Sequence, residues 1–272
     1  MVRAFTRRQI LERTLAAAAL GALPSMRSLR AQTTVENLVE FQRVVAANRI
    51  LSNEAVVDGF GHVSVRDPRD PGRYVMSRSL SPEFVELSDL MEFHSNGDRV
   101  DPNDTRRPYG ERMIHGAIYE SRPDVAAVVH HHSYAVVPFS VSTVPLRPIA
   151  HSASIIGAEI PVWDIQNEYG DTDMLVRTME MGHDLADTLG DNTCLLMRGH
   201  GAVVATPTVR QAVVTSVYLQ VNAQLLSEAL RLGDPTYLTD EEIEQSTVAQ
   251  LSPLALDRVW EYYCIRAGVD PV

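Results

Sequence analysis

The sequence predicts a single, layered α/β domain, and three observations support this class. The composition, 272 residues of which 45% are hydrophobic and 22% are charged, is typical of a globular domain. Apolar residues recur at helical spacing over residues 34–52 and 209–232. Between these helices lie short alternating or apolar runs, which Gly and Pro separate as they do strands and turns.

The first elements are a helix and a β-hairpin. Residues 34–52 carry apolar side chains at helical spacing after Thr34, which is a suitable N-cap. Residues 62–66 and 73–77 alternate as strands, and a Pro- and Gly-rich turn joins them. A polar loop follows over residues 95–107.

The second half alternates helices with short strands. Residues 111–119 and 174–189 have helical spacing, and the second run ends at a glycine. Residues 193–197 and 202–205 are predicted strands on either side of an Arg-Gly-His-Gly turn. The tail, residues 239–269, has mixed helical character. Helices outside and hairpin-joined strands inside predict one layered domain.

Three consecutive histidines are the most informative feature of the chain. They end an apolar run that predicts a buried strand, so His130 and His132 point to one face and His131 to the other. Two imidazoles about 7 Å apart on one strand face can bind the same metal ion. His200 follows another apolar run, and Glu111 begins a helix. Three His and one Glu are a suitable ligand set for a catalytic divalent metal ion.

Charge and cysteine content exclude several classes of function. The net charge of −11 argues against a nucleic-acid surface and against binding to anionic membranes. Two cysteines, Cys194 and Cys264, cannot form a disulfide framework. Beyond the N-terminal segment, the chain lacks the roughly 20 uninterrupted apolar residues of a membrane helix.

Residues 1–32 predict a twin-arginine-type signal peptide. Arg7 and Arg8 precede a weakly apolar, Ala-rich stretch, and the predicted cleavage follows Ala31. This pattern predicts a periplasmic protein whose mature domain is residues 33–272. The alternative is an amphipathic N-terminal helix on a cytoplasmic protein.

Four motifs in this order resemble the class II aldolase/adducin family. They are Gly61-His62-Val63-Ser64-Val65-Arg66, the helix that begins at Glu111, Arg122-Pro123-Asp124-Val125 with the three histidines, and Arg198-Gly199-His200-Gly201. Their order and spacing agree with the family from about residue 37 to residue 235. The resemblance implies an α/β/α sandwich with a central, mostly antiparallel sheet. It also implies a homotetramer with the active site at a subunit boundary.

The same resemblance implies the metal ligands and the catalytic group. His130, His132 and His200 match the family's ligands, and Glu111 matches its catalytic acid/base, which also ligates the metal in the empty site. One divalent ion per subunit is expected, and Zn, Mn, Fe and Co all suit this ligand set. The ion acts as a Lewis acid that stabilises an enolate-like intermediate.

Two departures argue against a phosphorylated sugar as substrate. The family's sugar-phosphate aldolases hold phosphate with a Gly/Ser-rich loop after the second strand and with a Ser pair before the catalytic Glu. Here the corresponding stretches are residues 77–82 and 108–110, which lack the glycine and the Ser pair.

A narrower resemblance points to the hydroxypyridine-dicarboxylate decarboxylase branch. It rests on residues 77–79, 109–112, 144–148 and 197–201, together with His151. It implies a lyase that removes CO2 from a small hydroxy-aromatic or hydroxy-acid carboxylate through a metal-stabilised enolate. Loss of CO2 and retro-aldol cleavage share that intermediate, so one site can host either reaction.

Four further residues are predicted to contact the substrate. His62 stands where the family's sugar enzymes usually carry Asn, and its alternative role is a structural hydrogen bond. Arg78 offers a fork suited to a carboxylate, with a surface salt bridge as the alternative. His151 lies in a loop, where a substrate contact and an ordinary surface position are both open. Tyr218 is expected to reach the site of a neighbouring subunit, as a tyrosine does in family members.

Other functions stay open at this point. The closest is an aldolase that cleaves an unphosphorylated hydroxy-keto substrate. An epimerase and an Fe(II)-dependent oxygenase also suit a three-His site. A different class is an adducin-like scaffold with an inactive site, against which the intact Glu111 and histidines argue.

Overall fold

The computed structural model describes the backbone of residues 26–272 and the side chains of residues 39–272. The paired arginines of the predicted signal peptide, residues 1–32, lie outside the described residues, and export stays a prediction. Among the described helices, none combines the length and the apolar character needed to cross a membrane. Residues 39–272 make up one compact unit.

A seven-stranded sheet lies at the centre of this unit. Its strands are β1 (His62–Arg66), β2 (Arg73–Ser77), β3 (Leu90–His94), β4 (Ala127–His131), β5 (Val162–Trp163), β6 (Cys194–Met197) and β7 (Gly201–Thr206). The spatial order is β3-β2-β1-β4-β7-β6-β5. Every pairing is antiparallel except that of β5 with β6. The predicted mostly antiparallel sheet is confirmed.

Helices of very different lengths connect and cover the strands. They are α1 (Met26–Asn53), α2 (Arg112–Ser121), α3 (Val137–Ser140), α4 (Ile165–Tyr169), α5 (Met179–Leu189), α6 (Val209–Leu232), α7 (Asp240–Gln250) and α8 (Pro253–Arg266). Short 3₁₀ turns add Pro82–Phe84, Leu87–Asp89 and His151–Ile156. The helix predicted over residues 209–232 is confirmed at both ends, since Thr208 caps its start and Gly233 follows its end.

The two faces of the sheet have separate apolar cores. Val129 of β4 packs in a core with residues of α1, α6 and α8. Val128, one residue earlier, packs in the other core with residues of α2 and α5. Because neighbouring strand residues point to opposite faces, a strand such as β4 or β7 supplies both cores. The chain is therefore an α/β/α sandwich, as the resemblance implied.

Three sequence-based boundaries were wrong or incomplete. The helix predicted from residue 174 begins at Met179, where the side chain of Thr178 accepts a hydrogen bond from the backbone N–H of Met181. Residues 174–178 form a loop instead, and Met174 adopts a left-handed φ of 64°. The edge strand β3 was not predicted. The mixed tail is two helices, α7 and α8.

Candidate metal centre

Four elements of the fold bring the predicted metal ligands to one place. His130 lies near the end of β4, and His132 follows that strand. His200 lies in the turn between β6 and β7, next to the β4 end because His130 pairs with Val203 and His131 with Ala202. Glu111 occupies the N-cap position of α2, which packs against this face of the sheet.

A glycine allows the close approach of these strands. A Cβ atom at Gly201 would lie 2.2 Å from the carbonyl oxygen of His131 and 3.0 Å from the ring of His132. A larger residue would therefore push the β6–β7 turn away from the end of β4. The glycine after His200 places that histidine beside the other two.

The ligand atoms converge on one point. The Nε2 atom of His132 lies 2.9 Å from that of His130 and 3.0 Å from that of His200. The Oε2 atom of Glu111 lies 3.7 Å from the Nε2 atoms of His130 and His200. All four ligand atoms fall within 4.8 Å of one another. We call this group, Glu111 with His130, His132 and His200, the His₃Glu cluster.

Main-chain carbonyl groups fix the orientation of two of the imidazoles. Nδ1–H of His130 donates to the carbonyl oxygen of Ala202 over 3.1 Å, and Nδ1–H of His200 donates to that of Met174 over 2.9 Å. Each neutral ring then presents the lone pair of Nε2 to the centre. The single hydrogen of a neutral His132 cannot serve two facing lone pairs fully, whereas one cation satisfies all three rings. The donor set therefore fits a divalent metal ion.

Burial keeps these imidazoles in the neutral form that binds metals. It lowers the pKa of His130 well below its usual value, and the neighbouring histidines add to the effect. The pKa of His200 falls to about 4, mainly because the ring is buried. Neutral rings are ready ligands at physiological pH, and no proton must leave before a cation binds.

Glu111 has the properties of a group that exchanges a proton near neutral pH. Burial raises its pKa to about 7, although the backbone N–H of Val176 opposes this rise. That N–H donates to Oε1 over 3.0 Å and leaves Oε2 facing the histidines. A carboxyl group poised near the working pH is suited to general acid–base catalysis.

One loop supports two members of the cluster. The 174–178 loop supplies the carbonyl group of Met174 to His200 and the backbone N–H of Val176 to Glu111. Sequence reasoning missed it, because the helical spacing of apolar residues extends through this segment. The only signal was Thr178, a good N-cap within the predicted helix.

His62 lies beside the cluster and is held by a buried hydrogen bond. It pairs with His130 across β1 and β4, and the two ring centroids lie 5.1 Å apart. Its Nδ1 lies 2.7 Å from Nε2 of His115 on α2. Only 3% of His62 is exposed. The structural hydrogen bond considered as the alternative is therefore present, and the ring still borders the site.

Arg78 is engaged by an acidic neighbour. Its Nε donates to Oδ1 of Asp89 over 2.7 Å, which is the salt bridge considered as the alternative to substrate binding. The predicted role of Arg78 in holding a substrate carboxylate stays a prediction, and Asp89 would compete with the substrate for the guanidinium. Burial raises the pKa of nearby Tyr109, and the charge of Arg78 opposes that rise.

Two of the predicted contacts lie away from the cluster within this chain. His151 is an exposed residue at the start of a 3₁₀ turn that packs against α6 and α7. Tyr218, on α6, lies next to Tyr263 of α8. The structure does not bring either side chain to the His₃Glu cluster. The expected contribution of Tyr218 to a neighbouring subunit stays a prediction.

Two aromatic residues at the site were not predicted. Phe60 is 67% exposed, and its ring stacks on that of His132 at 6.1 Å between centroids. The ring centroid of Tyr109 lies 4.6 Å from that of His62, and its hydroxyl donates a hydrogen bond to the carbonyl oxygen of Leu80. The signals were an aromatic residue inside a Gly-rich turn and a tyrosine two residues before Glu111.

Comparison with known proteins gives a family match and similar proteins that are named as decarboxylases. The chain matches the Class II Aldolase and Adducin N-terminal domain over residues 42–227. Decarboxylase tropJ from Talaromyces stipitatus is 30% identical over 244 residues, which cover 80% of this chain and 90% of the relative. The 3,4-dihydroxyphthalate decarboxylase of Arthrobacter keyseri is 26% identical over 227 residues, 78% of this chain and 86% of that protein.

A solved structure confirms the fold. The L-fuculose 1-phosphate aldolase from Glaciozyma antarctica PI12 superposes with a TM-score of 0.71, covering 93% of this chain and 99% of that chain. The two sequences are 22% identical, so this likeness concerns the architecture alone. The two curated relatives described above are decarboxylases by name.

Proposed function

The chain belongs to the class II aldolase and adducin family, and we propose that it is a divalent-metal-dependent carbon–carbon lyase. The reaction that we propose is decarboxylation of a small hydroxy-aromatic carboxylate. The relatives named as decarboxylases favour this reaction. The observation that carries the proposal is the convergence of three Nε2 atoms and one carboxylate oxygen on a single point.

A divalent cation held by His130, His132 and His200 would supply Lewis acidity toward the substrate oxygens. Glu111 is placed to move the proton that the reaction needs. As CO2 leaves, the electron pair of the broken C–C bond stays on the ring carbon, which then takes one proton. Oε2 of Glu111 is the atom that delivers it, because Oε1 is engaged by Val176.

The loop after β2 disfavours a phosphorylated substrate. In the family's sugar-phosphate aldolases the corresponding loop binds phosphate through free backbone N–H groups and hydroxyls. Here the hydroxyl of Tyr109 takes both polar groups of Leu80, since it donates to the carbonyl oxygen and accepts from the N–H over 3.4 Å. A phosphate would have to displace this tyrosine, which favours an unphosphorylated substrate.

Phe60 favours a planar substrate. Its exposed ring stacks on the imidazole of His132, one of the proposed metal ligands. A face of Phe60 is available for stacking against an aromatic ring, which is worth about 0.5–1.5 kcal/mol beyond the buried area. Phe60→Ala should therefore raise KM for an aromatic substrate more than it lowers kcat.

The test uses 3,4-dihydroxyphthalate, the compound in the name of one relative. Purified protein is loaded with Mn²⁺ or Zn²⁺, and released CO2 is measured together with 3,4-dihydroxybenzoate. Equal amounts of both products in wild type and their loss in Glu111→Gln are the expected results. Absence of CO2 release from 3,4-dihydroxyphthalate and other ortho-hydroxylated aromatic carboxylates, by protein that holds its metal, would reject the decarboxylase.

An aldolase acting on an unphosphorylated hydroxy-keto substrate is the second candidate. The engaged phosphate loop is compatible with it, because that loop excludes only the phosphate. The same preparations, assayed for aldehyde release, distinguish the two reactions. An adducin-like scaffold would show neither reaction, and the complete His₃Glu cluster argues against it.

Assembly and location are further proposals. We propose a homotetramer in which Tyr218 approaches the site of a neighbouring subunit, and light scattering on the purified protein tests the subunit number. We also propose export to the periplasm through residues 1–32. Uncleaved full-length protein in the cytoplasmic fraction would contradict export.

A further inference from the structure

A chain of buried hydrogen bonds ends beside the metal cluster. The hydroxyl oxygen of Tyr119 lies 2.8 Å from Oγ of Ser64, which lies 2.6 Å from Nδ1 of His115. Nε2 of His115 lies 2.7 Å from Nδ1 of His62. Each of these four residues is at most 3% exposed. They come from two elements, since His62 and Ser64 share one face of β1, and His115 and Tyr119 share one face of α2.

The two possible directions of this chain differ in which donor is left without an acceptor from the protein: Nε2–H of His62 beside the metal cluster, or the hydroxyl of Tyr119 at the other end. If it runs from Tyr119 to His62, Tyr119 donates to Ser64, Ser64 donates to Nδ1 of His115, and Nε2–H of His115 donates to Nδ1 of His62. In the reverse direction the hydroxyl hydrogen of Tyr119 needs another acceptor. Among the described residues, Ser64 is the acceptor within reach of the Tyr119 hydroxyl, since the backbone group of Val128 that also meets this hydroxyl is an N–H donor. An unsatisfied buried donor is costly. Tyr119 lies in an apolar core, whereas a ligand at the metal cluster can accept from His62, so the first direction is favoured.

Arg66 holds Tyr119, the residue at the end of the hydrogen-bond chain away from the metal cluster. Its guanidinium lies over the ring of Tyr119, 4.8 Å from the centroid. The same group donates to the main-chain oxygens of Tyr119, Arg122 and Val125. Tyr119 therefore has little freedom to turn its hydroxyl toward a different acceptor.

We propose that Ser64 and His115 are positioning residues that hold His62 in its Nε2–H tautomer, with Tyr119 as the donor that completes the chain. Each neutral imidazole carries one ring hydrogen, and Nδ1 of His62 is the acceptor of the last bond in the chain. Its hydrogen must then lie on Nε2. That N–H has no hydrogen-bond partner among the described residues, and the ring borders His130 and Tyr109. His62 is thus a fixed donor for an anionic oxygen of a ligand at the metal cluster.

The chemistry of this ligand follows from the donor. A neutral N–H beside a cation site is suited to a carboxylate oxygen, whose other oxygen is free for the metal. The identification of that oxygen with a substrate carboxylate rests on the proposed function. The tautomer of His62 does not, because it follows from the protein's own hydrogen bonds.

The first test measures the tautomer directly. Protein labelled with ¹⁵N in its nine histidines and loaded with Zn²⁺, which is diamagnetic, is observed by long-range ¹H–¹⁵N correlation. His62→Asn assigns the signals of His62. The expected result is a protonated Nε2 and an unprotonated Nδ1 in wild type. A protonated Nδ1 would overturn the proposal, and the variant serves only to assign the signals.

The second test removes the donor to His115. In Ser64→Ala, Nδ1 of His115 loses its partner in either direction, so the preference between the tautomers of His62 should be lost. Ser216→Ala is the matched control, because Ser216 is also fully buried but bonds only to the carbonyl of Ala212 on α6. It should leave the signals of His62 unchanged. Unaltered signals in Ser64→Ala would overturn the proposed role of Ser64.

A binding measurement then links the tautomer to the ligand. The dissociation constant of 3,4-dihydroxyphthalate should rise in inverse proportion to the fraction of His62 that carries Nε2–H. If that fraction falls to about one half, the constant should double, whereas a merely structural defect would follow no such relation. Failure of the compound to bind wild type would count against the proposed function, while the tautomer measurement would still decide this inference.

Discussion

The imidazoles of the metal cluster and those of the neighbouring pair, His62 and His115, are oriented by different kinds of partner. Main-chain carbonyl groups hold His130 and His200. Side chains hold His62 and His115, through Ser64 and Tyr119. Both groups lie on the same face of the sheet, next to each other across β1 and β4.

This difference teaches which properties of the site belong to the fold. A carbonyl group exists at every residue, so the orientation of the metal ligands survives substitution of the residues that supply it. The orientation of the His62 donor depends on the hydroxyl group of Ser64, which a single substitution removes. Metal binding should therefore tolerate substitutions around the site. The orientation of the N–H donor of His62 should be sensitive to them.

The largest expected effect comes from breaking the metal cluster itself. His132 lies closest to both other imidazoles, so His132→Ala should lower the metal content from about one ion per subunit to a small fraction. Elemental analysis of protein purified without a His-tag measures this content. His131→Ala is the matched control, because His131 is buried on the opposite face of β4 and should leave the metal in place. Equal losses in both variants would contradict the ligand assignment.

The next prediction separates the proton-transfer role of Glu111 from metal binding by the three histidines. Glu111→Gln keeps an oxygen that can accept from Val176 but removes the exchangeable proton. We expect kcat to fall by about 10²–10⁴-fold, the usual contribution of general acid–base catalysis, with most of the metal retained. Activity near that of wild type in metal-loaded Glu111→Gln would assign the proton transfer to another group.

A smaller effect concerns acid stability. Burial lowers the pKa of His115 to about 3, from a normal value of 6.5. The unfolded chain therefore binds a proton between these values that the folded chain excludes, so the free energy of unfolding falls as the pH drops below 6.5 toward 3. Urea unfolding of metal-free protein at pH 8 and pH 5 measures the loss.

His115→Gln is the comparison for this pH effect. It lacks the titrating ring, so it should lose less stability than wild type between pH 8 and pH 5, although it is less stable at pH 8. The buried histidines that do not contact His115 are present in both proteins, so their contribution cancels. The same pH dependence in both proteins would show that His115 does not contribute.

The smallest expected effect concerns the hydrogen bond between Tyr119 and Ser64. Tyr119→Phe should cost about 1 kcal/mol of folding free energy, the typical value of one hydrogen bond. It should leave the tautomer of His62 unchanged, since the hydroxyl of Ser64 still donates to His115. Tyr74→Phe is the control, because Tyr74 lies 5.5 Å from Tyr119 in the same core and its hydroxyl bonds to the carbonyl of Arg112 instead. A change of tautomer in Tyr119→Phe alone would assign the direction of the chain to Tyr119.

The sequence predicted the metal cluster because its members follow regular periodicity. His130 and His132 are two residues apart at a strand end, and a glycine follows His200 in a tight turn. Alternation and turn geometry are local, so they could be read without a structure. The same reasoning could have found the chain of hydrogen-bonded side chains. His62 and Ser64 are two residues apart and share a strand face, and His115 and Tyr119 are four apart and share a helix face.

The rest depended on contacts between distant segments. Helical spacing over residues 174–189 concealed the 174–178 loop, because apolar residues in a loop can match a helical pattern by chance. Arg78 has the right chemistry for a carboxylate, but which carboxylate it meets depends on where Asp89 folds. The exposed position of His151 likewise follows from the packing of its turn on α6 and α7, which no local pattern encodes.

The 174–178 loop links the positions of two residues of the His₃Glu cluster. One short segment positions a metal ligand, through Met174, and the proton-transfer group, through Val176, although these two belong to elements far apart in the chain. Arg177 and Thr178 of this segment are exposed. Because Met174 and Val176 lie in the same short segment, a shift of this loop would alter the hydrogen bonds of His200 and Glu111 together.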